Sequence, residues 1–378
     1  MEQTHGLVSV DDHVQEHPEV WVSRLSRATW GDRVPHVARQ PDGTDRWLID
    51  GKLVDLGGVA QAAAAMPDRS SEPQVWEATP RAAYDPIERL KAMDADGVAY
   101  SVLYPTVAGP GGDTLARLTD PDLELACVQA YNDWLIDEWA GVSPRFVPQC
   151  LTPVWPIQAA VTEIRRAVGR GHRGVIYPAV PMELREVPHV NEPDYDPLWT
   201  VCEDLEVPLC FHAGSSAAIQ VPVPSSFGSA TAAAFKSITR QASHISILVP
   251  LLISRILTRH PRLKVVFAES SLGWGGYQVE FADQQFREDG LMNEGYDLFP
   301  SQLFQRQCFL TGWYDEAALL TRHIIGVPNI LWSTNFPLAT STWPSSKDYI
   351  GRAFANVPAD ERDSILWGNA AKLYKLNG

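Results

Sequence analysis

Eight short apolar runs alternate with amphipathic stretches of helical period, and this rhythm limits the fold more than any other feature of the chain. The runs are Leu7–Val10, Val98–Tyr104, Phe146–Leu151, Gly174–Tyr177, Val207–His212, Leu263–Ala268, Gln307–Thr311 and Ile330–Ser333. Proline, glycine or a polar residue stops each one. Between them, helices are expected over Asp85–Asp94, Pro121–Ala140, Pro156–Arg170, Tyr195–Leu205, His244–Arg259, Gly275–Arg287, Asp315–His323 and Pro358–Lys375. Alternation of this kind implies parallel strands joined by right-handed crossovers. Eight units predict an α/β fold, a closed (β/α)8 TIM barrel, with its chemistry at the C-terminal ends of the strands. An open doubly wound sheet is the competing architecture. Against it, no GxGxxG follows the first run and no GxxxxGK[ST] loop occurs.

The 378 residues fit one such barrel with insertions, so a single domain over 1–378 is expected. Residues 16–84 break the rhythm. They are rich in Pro, Gly and Trp and hold one hairpin signal, Asp50-Gly51 between Arg46-Trp-Leu-Ile and Lys-Leu-Val. This N-terminal segment reads as an insertion after strand one that covers one end of the core. A Ser/Ala/Gly-rich loop over Gly214–Ala233 is long enough to serve as a mobile lid.

Net charge of −15 argues against nucleic acid or an anionic membrane surface as partner. No apolar run approaches the roughly 20 residues that span a bilayer. Met-Glu-Gln-Thr-His shows no basic-then-apolar pattern, so a cytoplasmic protein is expected. Cys127, Cys150, Cys202, Cys210 and Cys308 are scattered without CxxC spacing, as reduced core thiols would be. Cys210 shares a strand face with His212 and reads as a small core residue rather than a ligand.

Three strand ends carry residue types that bind metals. Asp11 and His13 lie two apart on an extended segment and point the same way. His212 ends the fifth strand and Asn335 follows the eighth. In a closed barrel, strands one and eight are neighbours and strand five lies across the mouth, so the four side chains can converge on one ion. One carboxylate with two imidazoles suits Zn²⁺ or Mn²⁺. The bland account is a solvated turn at Asp11-Asp12-His13 and a satisfied strand-end histidine at 212. Glu269 ends the sixth strand and is a candidate general acid or base, with an arginine ion pair as the competing account. His244 heads the helix before that strand and could reach the mouth, or cap and pack. Tyr177 lies on the fourth strand; His172 and His260 are weaker candidates. Trp274, Trp313 and Trp343 follow strand ends and could wall an aromatic pocket, or pack in the core and rim.

These residues resemble the amidohydrolase-related family, the metal-dependent TIM-barrel branch that includes aminocarboxymuconate-semialdehyde decarboxylase and γ-resorcylate decarboxylase. The likeness runs through nearly the whole chain. It rests on Val10-Asp11-Asp12-His13, Phe211-His212, His260-Pro-Arg-Leu-Lys-Val-Val-Phe-Ala-Glu269-Ser, Leu331-Trp-Ser-Thr-Asn335-Phe-Pro337 and Trp367-Gly-Asn369-Ala-Ala-Lys-Leu-Tyr374. The resemblance implies a divalent metal, Zn²⁺ first and Mn²⁺ second, held by Asp11, His13, His212 and the strand-eight position. It implies decarboxylation or hydrolysis of a small carboxylated or carbonyl-bearing cyclic molecule. A homo-oligomer with a small-molecule substrate is expected. Catalytic roles fall to Glu269, His244 and Asn335, and substrate contacts to Tyr177, Trp274 and Trp313.

One departure bears on all of this. The family's strand-eight aspartate is Asn335 here, and the histidine after its proline is Leu338. An amide oxygen coordinates weakly and accepts no proton near neutral pH. Three outcomes compete: a retained metal with Glu269, His244 or Asp12 moving the proton; a metal-free barrel with another reaction such as cyclisation or elimination; or a non-catalytic binding protein.

Overall fold

The computed structural model describes residues 5–69, 71–215 and 222–377. Eight parallel strands run in chain order around one sheet: β1 Leu7–His13, β2 Val98–Tyr104, β3 Phe146–Cys150, β4 Gly174–Ile176, β5 Leu209–His212, β6 Val265–Ala268, β7 Cys308–Gly312 and β8 Ile330–Trp332. Their apolar side chains are buried almost without exception, as expected of parallel strands covered on both faces. Among the described residues no ladder joins β8 to β1. The ring closes through the segment just past β8 instead. Asn335 N–H donates to the Asp11 carbonyl at 3.0 Å, and His13 N–H donates to the Phe336 carbonyl at 2.7 Å. Thr334 N–H donates to Ser9 Oγ at 2.8 Å.

Asp12 locks the same seam. Its carboxylate accepts from the Ser9 and Ser101 hydroxyls, the Thr334 hydroxyl and the Phe336 N–H. Those donors come from β1, β2 and the segment after β8. Between Ser9 and Asp12 the β1–β2 register slips, which marks a bulge where the functional residues begin.

Local chemistry sets the helices. Asp85 caps Pro86–Asp96 by accepting from Ile87 N–H and Glu88 N–H, and Gly97 ends the helix in the left-handed region. Asp120 caps Pro121–Trp134 in the same way. That helix continues to Ala140 as a wider π turn. The single helix expected over His244–Arg259 is broken. Pro250 sits inside Ile245–Ile253, Arg255 takes a left-handed φ of 64°, and a short turn Ile256–Arg259 follows. Asp315–His323 likewise divides into Glu316–Leu320 and Arg322–Ile325. Helices Pro300–Gln307 and Ser346–Ala353 were not anticipated. Of the loop expected over Gly214–Ala233, residues 216–221 lie outside the described set, and the chain is helical from Ser229 to Arg240.

Residues 16–84 contain a three-stranded antiparallel sheet, His36–Arg39, Asp45–Ile49 and Lys52–Leu53. Asp50 and Gly51 make its tight turn with φ of 53° and 72°, the positive values such a hairpin needs. Trp47 and Trp21 from this segment meet edge to face at 5.6 Å and belong to the main apolar core. All five cysteines are buried and free, and Cys210 Sγ lies 3.4 Å from Gln149 Oε1 inside the barrel.

Candidate active site

The strand ends bring Asp11, His13 and His212 to one point, with ligand atoms all within 4.8 Å of one another. His212 Nε2 lies 3.3 Å from Asp11 Oδ1 and 3.3 Å from His13 Nε2. His13 Nε2 lies 3.6 Å from Asp11 Oδ1. Each imidazole is oriented through its other nitrogen: His13 Nδ1 on the Pro105 carbonyl at 3.1 Å, His212 Nδ1 on the Ala213 carbonyl at 2.9 Å. A nitrogen facing a carbonyl must carry the hydrogen. Both Nε2 atoms therefore turn toward the cluster as lone-pair or proton-exchanging sites. Among the described residues, neither oxygen of Asp11 has a hydrogen-bond partner other than the imidazole nitrogens of the cluster, and the residue is fully buried.

A buried carboxylate without donors is costly unless a positive charge sits beside it. Two charges can serve here, a proton on His212 or a cation among the three side chains. Burial lowers the His212 pKa, but Asp11 and then Glu269 outweigh it and hold the group above its ordinary value. His13 is pushed down to about 4, by burial first and then by His212. One imidazole is thus kept neutral, as a metal ligand must be. Oriented histidines and an unpartnered carboxylate fit a divalent transition metal.

Asn335 and Glu269 complete the rim, and both adopt left-handed backbone, with φ of 58° and 51°. Such conformations cost non-glycine residues on the order of 1 kcal/mol and concentrate at functional sites. Asn335 Nδ2 donates to Thr340 Oγ1 at 2.7 Å and to Glu269 Oε1 at 3.4 Å, and its buried Oδ1 has no donor among the described residues. Glu269 Oε2 lies 3.8 Å from His212 Nδ1. Arg240 Nη1 donates to both Glu269 oxygens, at 3.3 and 3.1 Å. Burial raises the Glu269 pKa, but Arg240 and His212 overcome it and keep the carboxyl below its usual range. The arginine partner weighed from the sequence is therefore present, yet Glu269 remains in the cluster's outer ring.

The other expected site residues divide. His244 is buried and its Nε2 donates to the Ala268 carbonyl at 2.9 Å. Burial pushes its pKa down to about 4. Its ring stacks on Trp274 at 6.0 Å, and Trp274 Nε1–H is tied to the Ser270 carbonyl. Tyr177 is committed elsewhere: its hydroxyl donates to the Val154 carbonyl at 2.8 Å and its ring meets Tyr195. Trp313 is buried against Tyr314, and Trp343 donates to the Ala92 carbonyl. For these three the packing account describes what the structure places around them. His172 and His260 are held by the Asn132 carbonyl and Glu203. Asp12, weighed above as a proton carrier, has its carboxylate spent on the barrel seam.

Two contributors were missed. Tyr104 ends β2, and its ring lies 5.4 Å from that of His212 and 6.2 Å from that of His13. The strand-end rule that found the histidines would have found it, since Pro105 follows directly. Arg240 left no signal, because nothing local ties a helical arginine to a glutamate 29 residues on.

A parallel eight-stranded barrel with an Asp/His/His cluster at its C-terminal rim defines the metal-site class of TIM barrels. The family model described as "Amidohydrolase" matches residues 17–376, and the chain belongs to that family. γ-Resorcylate decarboxylase from Rhizobium sp. (strain MTP-10005) is 25% identical over 313 residues, 77% of this chain and 87% of the relative. Among solved structures, an amidohydrolase from Mycobacterium avium subsp. paratuberculosis K-10 superposes with a TM-score of 0.76 at 17% identity, covering 99% of this chain and 100% of that one. A dihydroxybenzoic acid decarboxylase from Polaromonas sp. JS666, with bound manganese and the inhibitor 2-nitroresorcinol, gives 0.65 at 18% identity, covering 99% and 98%.

Proposed function

We propose that this protein is a metal-dependent carbon–carbon lyase that removes the carboxyl group of a small aromatic acid. The observation that carries the reading is the convergence of three ligand atoms, His13 Nε2, His212 Nε2 and Asp11 Oδ1, on one buried point, with Asp11 lacking any other donor. Support for the substrate class comes from the relatives, whose names give decarboxylation of hydroxylated benzoates. The Polaromonas structure holds manganese, so Mn²⁺ stands beside the Zn²⁺ expected from the ligand types.

Asp11, His13 and His212 would hold the ion, which when bound supplies Lewis acidity toward a carboxylate and an adjacent oxygen. Arg240 receives the substrate's negative charge: its side chain is 38% exposed at the rim, and only its Nη1 is bonded among the described residues. Decarboxylation replaces the ring carbon's bond to CO₂ with a bond to a proton; Glu269, ionised while Arg240 faces it, would first take that proton from solvent and then deliver it to the ring carbon as CO₂ leaves. Asn335 holds Glu269 through its Nδ2. His244, neutral and stacked on Trp274, forms the wall behind Glu269.

Asn335 favours a second reading. With one carboxylate in the ligand set instead of two, affinity for a divalent ion falls, and a metal-free barrel that binds a ligand or runs a non-hydrolytic reaction becomes its rival. Elemental analysis of protein purified without chelator separates them, together with CO₂ release from γ-resorcylate in the presence of Mn²⁺ or Zn²⁺. Near one ion per chain with CO₂ release is expected. Less than about 0.1 ion per chain, not restored by added metal, overturns the metal reading.

A further inference from the structure

The other end of the barrel carries a cavity. It is built from the segments that enter β5, β6, β7 and β8 and from the C-terminal helical turn Asn369–Leu373, and it encloses about 510 Å³. These are the N-terminal ends of the strands, so the cavity opens on the face opposite the Asp11 cluster. Its composition is at odds with the rest of the molecule. The chain carries a net charge of −15, yet the walls hold Arg262, Lys264, Arg306, Lys372 and Lys375, with Glu206 as the lone carboxylate.

Two of the five cations are answered. Lys375 Nζ lies 3.0 Å from Glu206, and Arg262 lies 3.9 Å from Asp204. The other three, Lys264, Arg306 and Lys372, have no carboxylate within ion-pair distance among the described residues. Lys264 is half-buried and spends one hydrogen on the Arg306 carbonyl at 2.7 Å. Its pKa is held below the ordinary value, by burial first and then by Arg306 and Lys372. Arg306 donates Nε to Gln307 Oε1 at 2.8 Å and Nη2 to the Leu257 carbonyl at 2.7 Å, so its Nη1 is the nitrogen without a bond among the described residues, and no carboxylate offsets the three charges around the hollow. Their mutual repulsion is a standing cost that an anion would remove. The amide side chains at the wall are already committed to the protein: Asn329 Nδ2 to the Gln305 and Cys308 carbonyls, Asn369 Nδ2 to those of Val327 and Ile330. Recognition would therefore be by charge, with Phe309 and Pro208 as an apolar wall.

We propose that this cavity is a binding site for a small organic polyanion of mononucleotide size, with its oxyanion groups on Lys264, Arg306 and Lys372. Its volume lies within the range of small-molecule sites, roughly 300–1,000 Å³. Because it lies across the barrel from the candidate active site, its occupant binds without touching the reacting residues, and it stabilises the fold by mass action.

The test is calorimetric titration of the full chain with ATP, tripolyphosphate and citrate, each at matched ionic strength. Saturable binding near one per chain, with Kd below about 1 mM, is expected for at least one of them. ATP binding well above tripolyphosphate places the organic body on the apolar wall; equal binding assigns the site to phosphate; citrate alone assigns it to carboxylates. Lys372→Glu, on an exposed position, should weaken that binding at least tenfold, and Lys264→Met should do the same. Lack of saturation up to about 10 mM for all three ligands, or equal affinity in wild type and Lys372→Glu, overturns the proposal.

Discussion

The backbone N–H of Asn335 donates to the backbone carbonyl of Asp11 at 3.0 Å, and this bond sets the segment after β8 beside the end of β1 at the rim that holds the Asp11 cluster. It holds the family's strand-eight position against the first ligand of the cluster, whatever side chain that position carries. The Asn335 Oδ1 is buried and has no hydrogen-bond donor among the described residues.

Asn335→Asp should raise metal affinity. A second carboxylate would join the cluster without moving the backbone, and at least a tenfold gain in Mn²⁺ affinity is expected from the added charge. In chelator the same variant should be less stable than wild type, because the new carboxylate meets Glu269 where Asn335 Nδ2 now donates at 3.4 Å. Metal titration and thermal melts with and without EDTA check both signs. A variant that binds no more Mn²⁺ than wild type removes Asn335 from the ligand set.

Glu16 should contribute a loss of stability as pH rises from about 4.5 to about 7, against the opposite contribution of His13, His172 and His244, which burial pushes down to about 4. The buried Glu16 carboxyl accepts N–H bonds from Thr106, Val107 and Ala108, but burial outweighs them and pushes it up to about 7. The folded state then binds the proton more tightly than the unfolded chain does. The contribution is complete below the unfolded value, is lost as pH climbs to the folded one, and flattens above it. The span corresponds to about 3 kcal/mol as an upper figure. Urea melts across that window should show the difference in stability between wild type and Glu16→Gln shift against wild type as pH rises, with the slope left in Glu16→Gln belonging to Glu72, also pushed up to about 7, and to the buried histidines.

Asp12→Ala should destabilise by roughly 3–5 kcal/mol, since it strands four buried donors and opens the seam that closes the barrel. Asp12→Asn keeps the shape and some of the acceptors, and should recover part of the loss. Urea midpoints read both. A cost under about 1 kcal/mol for the alanine variant would mean that the ring closes without this carboxylate.

Asp11, Asp12 and His13 show what the sequence could carry. Period-two alternation alone places Asp11 and His13 on one face, and strand ends one and five identify His13 and His212 as partners. The role of Asp12 was out of reach, because its donors Ser9, Ser101 and Thr334 are ordinary hydroxyls until the barrel brings them together. The strands were legible because both faces are buried, so their apolar runs are unbroken. Helix breaks were less so. Pro250 was visible inside an apolar run, but whether it kinks or ends the helix depends on packing. Tyr177 and Trp313 were less legible: a large aromatic residue near a strand end fills space or faces a ligand according to its packing, and here Tyr177 gives its hydroxyl to the Val154 carbonyl and Trp313 packs on Tyr314.

Arg240→Lys should separate substrate binding from metal binding. The guanidinium grips both Glu269 oxygens with one nitrogen and leaves the rest of its fork at the rim. Lysine keeps the charge but not the fork, so it can satisfy Glu269 or the substrate carboxylate and not both in the same geometry. Loss of one charge-assisted contact corresponds to about 1.5–3 kcal/mol, or a KM for the aromatic acid raised by roughly ten- to a hundredfold. Metal content should stay at the wild-type level, because Asp11, His13 and His212 are untouched. Steady-state kinetics on γ-resorcylate beside elemental analysis reads both quantities. An unchanged KM with intact metal would assign Arg240 to holding Glu269 alone, and the substrate carboxylate would then need another cation at the rim.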